Sequence, residues 1–204
     1  MRMVSLPSST LLFFGSFNPV RAGHLAIAEA ALRATGAEAL WLVVSPQNPF
    51  KDDGELAPER HRLAMARLAV QDSPWRDRIA VSDIEFSLER PSLTIRTLET
   101  LREKYPERRF ALLIGSDNAE RFDRWVRYEE ILDRFPVLVY PREGYPPLRT
   151  PLAPRFVFLH DAEPGVGAAT DIRRRIAGGE DPGDDLSPRV WRYIRENRLY
   201  GYDE

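Results

Sequence analysis

GSFNPVRAGH, residues 15–24, separates a short apolar run from a long segment rich in Ala and Leu. The run before it, residues 11–14 (LLFF), is typical of a strand buried on both faces of a parallel sheet. The segment after it, residues 24–35, is followed by Gly36 and is typical of an α-helix with a glycine beyond its C-terminus. A strand, a turn and a helix in this order predict one βα unit of an α/β sheet.

The same alternation of apolar runs and amphipathic segments continues along the sequence. Further strands are predicted at residues 40–44, 79–84, 110–114, 137–140 and 156–159, and further helices at residues 58–70, 93–104, 169–177 and 188–196. This pattern predicts a doubly wound, Rossmann-like parallel sheet with helices on both faces. Residues 141–154 are rich in Pro and Gly and are expected to form a mobile surface loop. Because no repeat or linker divides the sequence, we expect a single domain over residues 1–204.

Composition and charge limit the partners that the protein can have. The formal net charge is -2, so no overall basic field attracts nucleic acid or an acidic membrane, and nucleotide contacts must come from a local cluster of donors. The chain has no cysteine, which excludes disulfides, thiolate zinc sites and cysteine nucleophiles. Its sequence has no signal-peptide pattern and no apolar run near the ~20 residues of a membrane span. We therefore expect a cytoplasmic protein that acts on small molecules, with its oligomeric state left open.

The turn after the first strand has the physical elements of a phosphate site. In open α/β sheets, ligands bind beyond the carboxyl ends of the strands. Gly15 and Gly23 permit close backbone approach, and the start of the following helix supplies free N–H groups and a positive dipole end. Arg21 and His24 add side-chain donors. The turn matches neither the G-x-G-x-x-G fingerprint nor the phosphate loop G-x-x-x-x-G-K-(S/T).

Residues 15–24 resemble the G-x-F-x-P-x-(H/T)-x-G-H motif of the nucleotidylyltransferase superfamily. The residues of this motif are most similar to those of the nicotinate (nicotinamide) mononucleotide adenylyltransferase family. The resemblance implies that His24 contacts the phosphate under attack. Arg21 stands where the family has His or Thr. Arginine binds phosphate bidentately, and the attacking group in this chemistry is an ionised phosphate, so no general base is needed at Arg21.

Two segments on the acceptor side also resemble the family, in the same order. Residues 45–51 (SPQNPFK) are similar to P-x-x-x-P-x-K and imply that Lys51 reaches a phosphate, and Arg60 is a weaker basic candidate. After Glu85, residues 91–98 (PSLTIRTL) resemble S-Y-T-(I/V)-(D/E)-T-L and imply that Thr94 contacts the pyridine ring.

Two positions of this acceptor-side segment depart from the family. Leu93 replaces an aromatic residue and Arg96 replaces an acid, which concerns recognition of the acceptor more than catalysis. Apart from the resemblance, Ser92 is expected to cap the following helix.

A strand exit further along the sequence resembles the family's G-x-D segment with its downstream tryptophan. It comprises residues 114–118 (IGSDN) and Trp125. The resemblance implies that Gly115 lets a nucleotide approach the backbone, that Asp117 accepts from ribose hydroxyls, and that Trp125 stacks on the pyridine ring.

The last matching segment, residues 169–173 (ATDIR), resembles the S-S-T-x-I-R motif. The resemblance implies that Thr170 and Arg173 hold ATP phosphates at a helix start. Ala168 and Ala169 replace the two serines, although backbone N–H groups remain available there.

The resemblance as a whole implies an adenylyltransferase of NAD biosynthesis. AMP would pass from ATP to nicotinate mononucleotide by direct in-line attack, with pyrophosphate as the leaving group; nicotinamide mononucleotide is left open as the acceptor. Mg²⁺ would be held through the ATP phosphates, with no metal site built from protein side chains alone. The residues implied in catalysis are His24, Arg21 and Arg173; those implied in ATP binding are Gly15, Ser16, Phe17, Gly23, His24, Gly115, Asp117, Thr170 and Arg173; and those implied in acceptor binding are Asn18, Lys51, Thr94 and Trp125.

Two alternatives stay open at this point. One is a transferase of the same fold that uses another phosphate acceptor, which the changes at Leu93 and Arg96 keep open. The other is a paralogue that binds nucleotide without turnover, which the changes at Arg21, Ala168 and Ala169 keep open.

Overall fold

A computed structural model describes residues 5–46, 56–142, 149–159 and 168–203. These residues contain one six-stranded sheet in which every neighbouring pair of strands is parallel, with the order β3-β2-β1-β4-β5-β6. The strands are β1 (Ser9–Gly15), β2 (Ala39–Val44), β3 (Ile79–Ser82), β4 (Arg109–Gly115), β5 (Val137–Tyr140) and β6 (Val157–Phe158). The strand order reverses between β1 and β4, which creates the topological switch point of a doubly wound fold. The predicted fold class is confirmed.

Helices cover both faces of the sheet. They are α1 (Ala22–Thr35), α2 (Glu59–Asp72), α3 (Thr94–Lys104), α4 (Ser116–Glu120), α5 (Tyr128–Arg134), α6 (Ala169–Ala177) and α7 (Pro188–Glu196). Buried residues of α1, α2, α6 and α7 form one hydrophobic cluster, and those of α3, α4 and α5 form the other. Strand β1 serves both clusters because its side chains alternate: Leu11 and Phe13 join the first, and Leu12 joins the second.

The predicted elements are all present, with small differences at their ends. The helices α6 and α7 and the strand β5 have their predicted bounds. Strand β3 ends two residues early, because the 3-10 helix Ile84–Ser87 takes up its predicted end. The short helices α4 and α5 were not predicted, since their sequences SDNAE and YEEILDR are too short and polar to show a helical apolar stripe.

Two local predictions need correction. Ser92 does not cap α3: the cap residue is Leu93, which makes no side-chain capping bond. The predicted loop at residues 141–154 ends in the 3-10 helix Ala153–Arg155, and its residues 143–148 lie outside the described residues. Within the part of the chain that the structure describes, no helix combines the length and the apolar character needed to cross a membrane.

Two helices end at a glycine in different backbone conformations. Gly36 follows α1 with φ 65 and ψ 13, and its N–H donates to the Leu32 carbonyl at 3.0 Å. Gly178 follows α6 with φ -84 and ψ 3. A Cβ on Gly36 would meet no atom within 4 Å, so the left-handed conformation alone constrains that position.

We therefore predict that Gly36→Ala lowers the free energy of unfolding by about 1 kcal/mol, the cost of a left-handed conformation for a residue with a Cβ. Gly178→Ala is the matched control, because its Cβ would make only an ordinary contact, 3.4 Å from the Arg175 carbonyl oxygen. It should change the free energy of unfolding by less than about 0.5 kcal/mol. Urea unfolding of both variants measures the difference, and equal effects would contradict the prediction.

Candidate active site

A cleft with two adjacent lobes lies at the carboxyl ends of β1 and β4, where the strand order reverses. The larger lobe has a volume of about 660 Å³ and the smaller lobe about 210 Å³. Both lobes are lined by the same wall residues: Phe13, Phe14, Gly15, Asn118, Arg124, Trp125 and Tyr140. A cavity at the switch point of an α/β sheet is where such folds bind ligands. The cleft is therefore the candidate active site.

The larger lobe concentrates positive charge in a chain whose formal net charge is -2. Five arginines and one histidine are among its lining residues: Arg21, His24, Arg121, Arg124, Arg142 and Arg173. Among the described lining residues Asp117 is the one carboxylate. Such a local cluster of cationic donors is what a polyphosphate requires.

The β1–α1 turn places Arg21 and His24 at this lobe. The Arg21 backbone N–H donates to Nδ1 of His24 at 3.1 Å, so in the neutral ring Nε2 carries the proton. The Arg21 side chain is buried, and burial lowers its pKa; the like charge of Arg142 lowers that pKa further. A bound anion would stabilise the charged form of Arg21 against both burial and the repulsion from Arg142. The turn therefore suits a phosphate group.

Two buried polar atoms of the larger lobe have no hydrogen-bond partner among the described residues. They are Oγ of Ser16 and Oδ1 of Asp117. The other carboxylate oxygen of Asp117 accepts from Nη1 of Arg142 at 2.7 Å, and the Arg142 backbone N–H donates to Oγ of Ser116 at 3.1 Å. Buried polar groups in native proteins are nearly always hydrogen-bonded, so these two atoms fit contacts with a polar ligand.

The glycines of the cleft make room for the protein's own side chains. A Cβ on Gly15 would lie 2.9 Å from the Phe17 ring, and a Cβ on Gly115 would lie 2.4 Å from Oδ1 of Asp117. Gly23 lies in the first turn of α1 and outside the lining of both lobes. Phe17 and Asp117 fill the space where a Cβ at Gly15 or Gly115 would lie, and the approach of a nucleotide to these two glycines stays a prediction.

Asn18 connects three elements around the larger lobe. Its Oδ1 accepts from the Ala57 backbone N–H at 3.0 Å and from the Tyr200 hydroxyl at 2.9 Å. Its carbonyl oxygen accepts from Nη1 of Arg173 at 3.1 Å. Arg173 and Thr170, both on α6, line the same lobe. The structure thus gives Asn18 a role in holding the turn, which the sequence did not predict.

The smaller lobe brings together the predicted acceptor residues Thr94 and Trp125. Leu93 lines the same lobe, and the Trp125 ring is stacked on Phe122 with centroids 4.8 Å apart. Arg96 lies elsewhere: it is exposed and forms an ion pair with Glu89 at 2.6 Å. Of the two departures in this segment, only Leu93 therefore lines the cleft. Lys51 lies outside the described residues.

Glu85 is a buried carboxyl group in the wall of the smaller lobe. It is 2% exposed, and its Oε1 accepts from Oγ1 of Thr97 at 2.8 Å. Burial raises the pKa of Glu85, and hydrogen bonds from Thr97, Ser45 and Ser92 oppose that rise. The lobe thus contains a carboxyl group that holds its proton to higher pH than an exposed glutamate.

Sequence reasoning missed Arg62, which is 1% exposed. Its guanidinium donates to the carbonyl oxygens of Ala57 at 2.8 Å, Ser16 at 2.7 Å, Ser45 at 2.7 Å and Pro46 at 2.8 Å. The basic residue singled out from the sequence, Arg60, is exposed. A signal was present, because Arg62 occupies the apolar stripe that α2 buries at residues 62, 65, 66 and 69.

Comparisons with known proteins agree with this geometry. The cytidylyltransferase-like family matches residues 12–175 of the chain. The probable nicotinate-nucleotide adenylyltransferase of Bacteroides thetaiotaomicron is 43% identical over 197 residues, which cover 96% of each chain. That of Bacteroides fragilis is 42% identical over 187 residues, 92% of this chain and 91% of the relative.

A solved structure shares the fold over nearly the whole length. The nicotinic acid mononucleotide adenylyltransferase of Plasmodium falciparum, in complex with NaAD, superposes with a TM-score of 0.79. The match covers 97% of this chain and 99% of the other, with 18% sequence identity. At that identity the likeness establishes the fold alone.

We predict that Arg62→Lys lowers the free energy of unfolding by roughly 3 kcal/mol, because lysine cannot reach four carbonyl groups in the planar geometry of a guanidinium. Arg60→Lys is the matched control on the same helix and should stay within about 0.5 kcal/mol of the parent. Urea unfolding of the two variants gives both values. Equal stability of Arg62→Lys and Arg60→Lys would contradict the prediction.

Glu85 should make stability depend on pH. Its raised pKa means that the folded protein keeps a proton that the unfolded chain releases, so its contribution is complete below the ordinary glutamate pKa of about 4.3. The contribution is lost as the pH rises through the higher folded-state pKa. In urea unfolding, the free energy of Glu85→Gln minus that of the parent should therefore increase from acidic to neutral pH. Glu103→Gln, at an exposed position of α3, controls for net charge; a difference for Glu85→Gln that is flat with pH contradicts the assignment.

Proposed function

Because the chain belongs to the nicotinate-nucleotide adenylyltransferase family, within the cytidylyltransferase-like proteins, we propose that it transfers AMP from ATP to nicotinate mononucleotide and releases pyrophosphate. One observation carries the proposal. A lobe lined by five arginines and a histidine adjoins a smaller lobe lined by Trp125, Leu93 and Thr94, at the switch point of the sheet. The first lobe suits a triphosphate and the second suits a flat ring.

ATP is proposed to occupy the larger lobe. The first turns of α1 and α6 both contribute lining residues, so two positive helix ends face the same space. His24 and Arg21 would contact the α-phosphate, and Arg173 with Thr170 would hold the departing pyrophosphate. The partnerless Oδ1 of Asp117 supports a hydrogen bond from a ribose hydroxyl, and Oγ of Ser16 supports a phosphate contact.

Nicotinate mononucleotide is proposed to occupy the smaller lobe, with its pyridine ring beside Trp125 and Thr94. Its phosphate would then point toward the larger lobe past the shared wall at Gly15 and Asn118. The names of the relatives favour nicotinate over nicotinamide as the ring. Lys51 stays a predicted contact of the acceptor phosphate.

Catalysis on this arrangement is positioning and charge stabilisation. The ionised phosphate of the acceptor attacks the α-phosphorus of ATP in line with the departing pyrophosphate, so no residue has to remove a proton from the nucleophile. His24 donates to the transferring group, and Arg21 offers it a permanent cation. The arginine in place of the family's His or Thr is therefore compatible with this chemistry.

Mg²⁺ would be held in this site through the phosphates of the substrate. Among the described residues, no group of three or more His, Asp or Glu side chains is placed to hold a metal ion. Asp117, the carboxylate of the larger lobe, is already paired with Arg142. When bound by the ATP phosphates, Mg²⁺ would neutralise part of their charge.

A cytoplasmic location and a single domain over residues 1–204 stay predictions.

The assay is the purified protein with ATP, Mg²⁺ and either nicotinate or nicotinamide mononucleotide, with dinucleotide and pyrophosphate followed by chromatography. We expect both products with nicotinate mononucleotide, because the site has separate places for a triphosphate and a ring. ATP binding without product from either acceptor would contradict the proposal. It would leave the transferase for another acceptor or the nucleotide-binding paralogue.

His24→Ala should lower kcat by about 10²–10³-fold, the usual effect of removing one donor to a transferring group. His61→Ala is the matched control, because His61 lines neither lobe and hydrogen-bonds Tyr193 at 2.9 Å. The control should keep the parent kcat. Steady-state rates at saturating ATP and acceptor measure both, and a similar kcat for the two variants would exclude the role proposed for His24.

A further inference from the structure

A segment beyond α7 contacts Asn18, which lines the larger lobe. The 3-10 helix Leu199–Gly201 carries Tyr200, whose hydroxyl donates to Oδ1 of Asn18 at 2.9 Å. The two residues are 182 positions apart in the chain. Tyr200 itself lines neither lobe of the cleft. Its link to the site therefore runs through Asn18.

The backbone of this segment is held in an unfavourable conformation. Tyr200 has φ 62 and ψ 29, and Arg198 has φ 48 and ψ 46, both left-handed and both without glycine's freedom. Such residues persist where the surrounding contacts determine their conformation. Burial raises the pKa of the Tyr200 hydroxyl, which keeps its proton for donation. Strain and burial together indicate a contact that the fold maintains.

The same segment contacts both elements that are proposed to bind phosphate, the β1–α1 turn and α6. A Cβ on Gly201 would lie 3.7 Å from Cβ of Ala177, so the segment packs on the C-terminal end of α6. From that helix Arg173 donates to the Asn18 carbonyl oxygen at 3.1 Å. Asn18 thus receives Tyr200 on its side chain and Arg173 on its backbone. A shift of Asn18 would move the phosphate-binding turn and its contact with Arg173 together.

We propose that Tyr200 is a positioning residue of the transfer site: by holding the Asn18 side chain it fixes the β1–α1 turn relative to the guanidinium of Arg173. Tyr200 lines neither lobe and so would touch neither proposed substrate. Its removal should therefore act on the steps that Arg173 assists, departure of pyrophosphate and binding of the ATP phosphates. Recognition of the ring in the smaller lobe should be unaffected. The inference rests on the proposed function for its kinetic readout and on ATP binding for its second readout.

The test compares Tyr200→Phe with Tyr193→Phe. Both substitutions remove one tyrosine hydroxyl that joins two elements, but Tyr193 bonds to His61 between α7 and α2, outside the lining of both lobes. For Tyr200→Phe we expect kcat to fall about tenfold, while KM for nicotinate mononucleotide stays within about twofold. Tyr193→Phe should keep kcat within about twofold, at a similar loss of thermal stability. Equal kcat values for the two variants would overturn the proposal.

A coupling measurement separates positioning from general loosening. If Tyr200 acts through Arg173, then Tyr200→Phe should lower kcat by less than about twofold in an Arg173→Ala background. Independent effects would multiply instead, and a full tenfold fall in that background would overturn the proposal.

ATP binding keeps the inference testable apart from turnover. Calorimetry with ATP and Mg²⁺ alone should give a Kd about threefold weaker for Tyr200→Phe and unchanged for Tyr193→Phe. If the parent protein makes no dinucleotide, the proposed function fails and this Kd comparison still decides the role of Tyr200. Parent-like ATP binding by Tyr200→Phe would overturn the inference even in an active enzyme.

Discussion

The buried guanidinium of Arg62 is the interaction on which the site depends. Its four hydrogen bonds reach the exit of β1 at Ser16, the exit of β2 at Ser45 and Pro46, and the approach to α2 at Ala57. Removing a cation from water costs several kcal/mol unless its donors are satisfied, and here carbonyl dipoles satisfy them in place of a carboxylate. Since each of those carbonyls belongs to a chain segment with no regular structure, one side chain gives three loops a common anchor. The hydrogen bond from Arg62 to the Ser16 carbonyl thus holds the start of the β1–α1 turn in place.

In the larger lobe of the cleft, cationic side chains lie close enough to repel one another. Burial and the like charge of Arg142 lower the pKa of Arg21, and the carboxylate of Asp117 forms an ion pair with Arg142. The surrounding sheet and helices hold these like charges together, at a cost to the free energy of folding. A polyphosphate would convert that repulsion into attraction, so substrate binding and stability are linked in this lobe. The local cluster of arginines makes this lobe suited to an anion although the formal net charge of the chain is -2.

The local sequence pattern predicts most of the strands and helices, but not the buried contacts that hold the candidate site in place. The strands were predictable because each is a short apolar run, and α6 and α7 because each has a clear stripe and start. The two lobes also contain the residues that the family resemblance named, apart from Gly23, Arg60 and the undescribed Lys51. Arg62 was missed although its place in the buried stripe of α2 was a signal, whereas no sequence pattern shows the bond of Tyr200 across 182 positions. The packing of the Phe17 ring against Gly15 was missed for a related reason, because only the fold shows it.

The sequence separation of Asn18 and Tyr200 also determines when their contact can form during synthesis. A ribosome adds roughly 5–20 residues per second, so the 182 intervening positions take roughly 10–40 seconds to synthesise. During that interval β1 can pair with its neighbouring strands as they emerge, but the β1–α1 turn lacks the Tyr200 hydroxyl that bonds to Asn18. Pairing of the strands therefore does not require Tyr200, whereas the side-chain contact of Asn18 with Tyr200 forms only after Tyr200 has been synthesised.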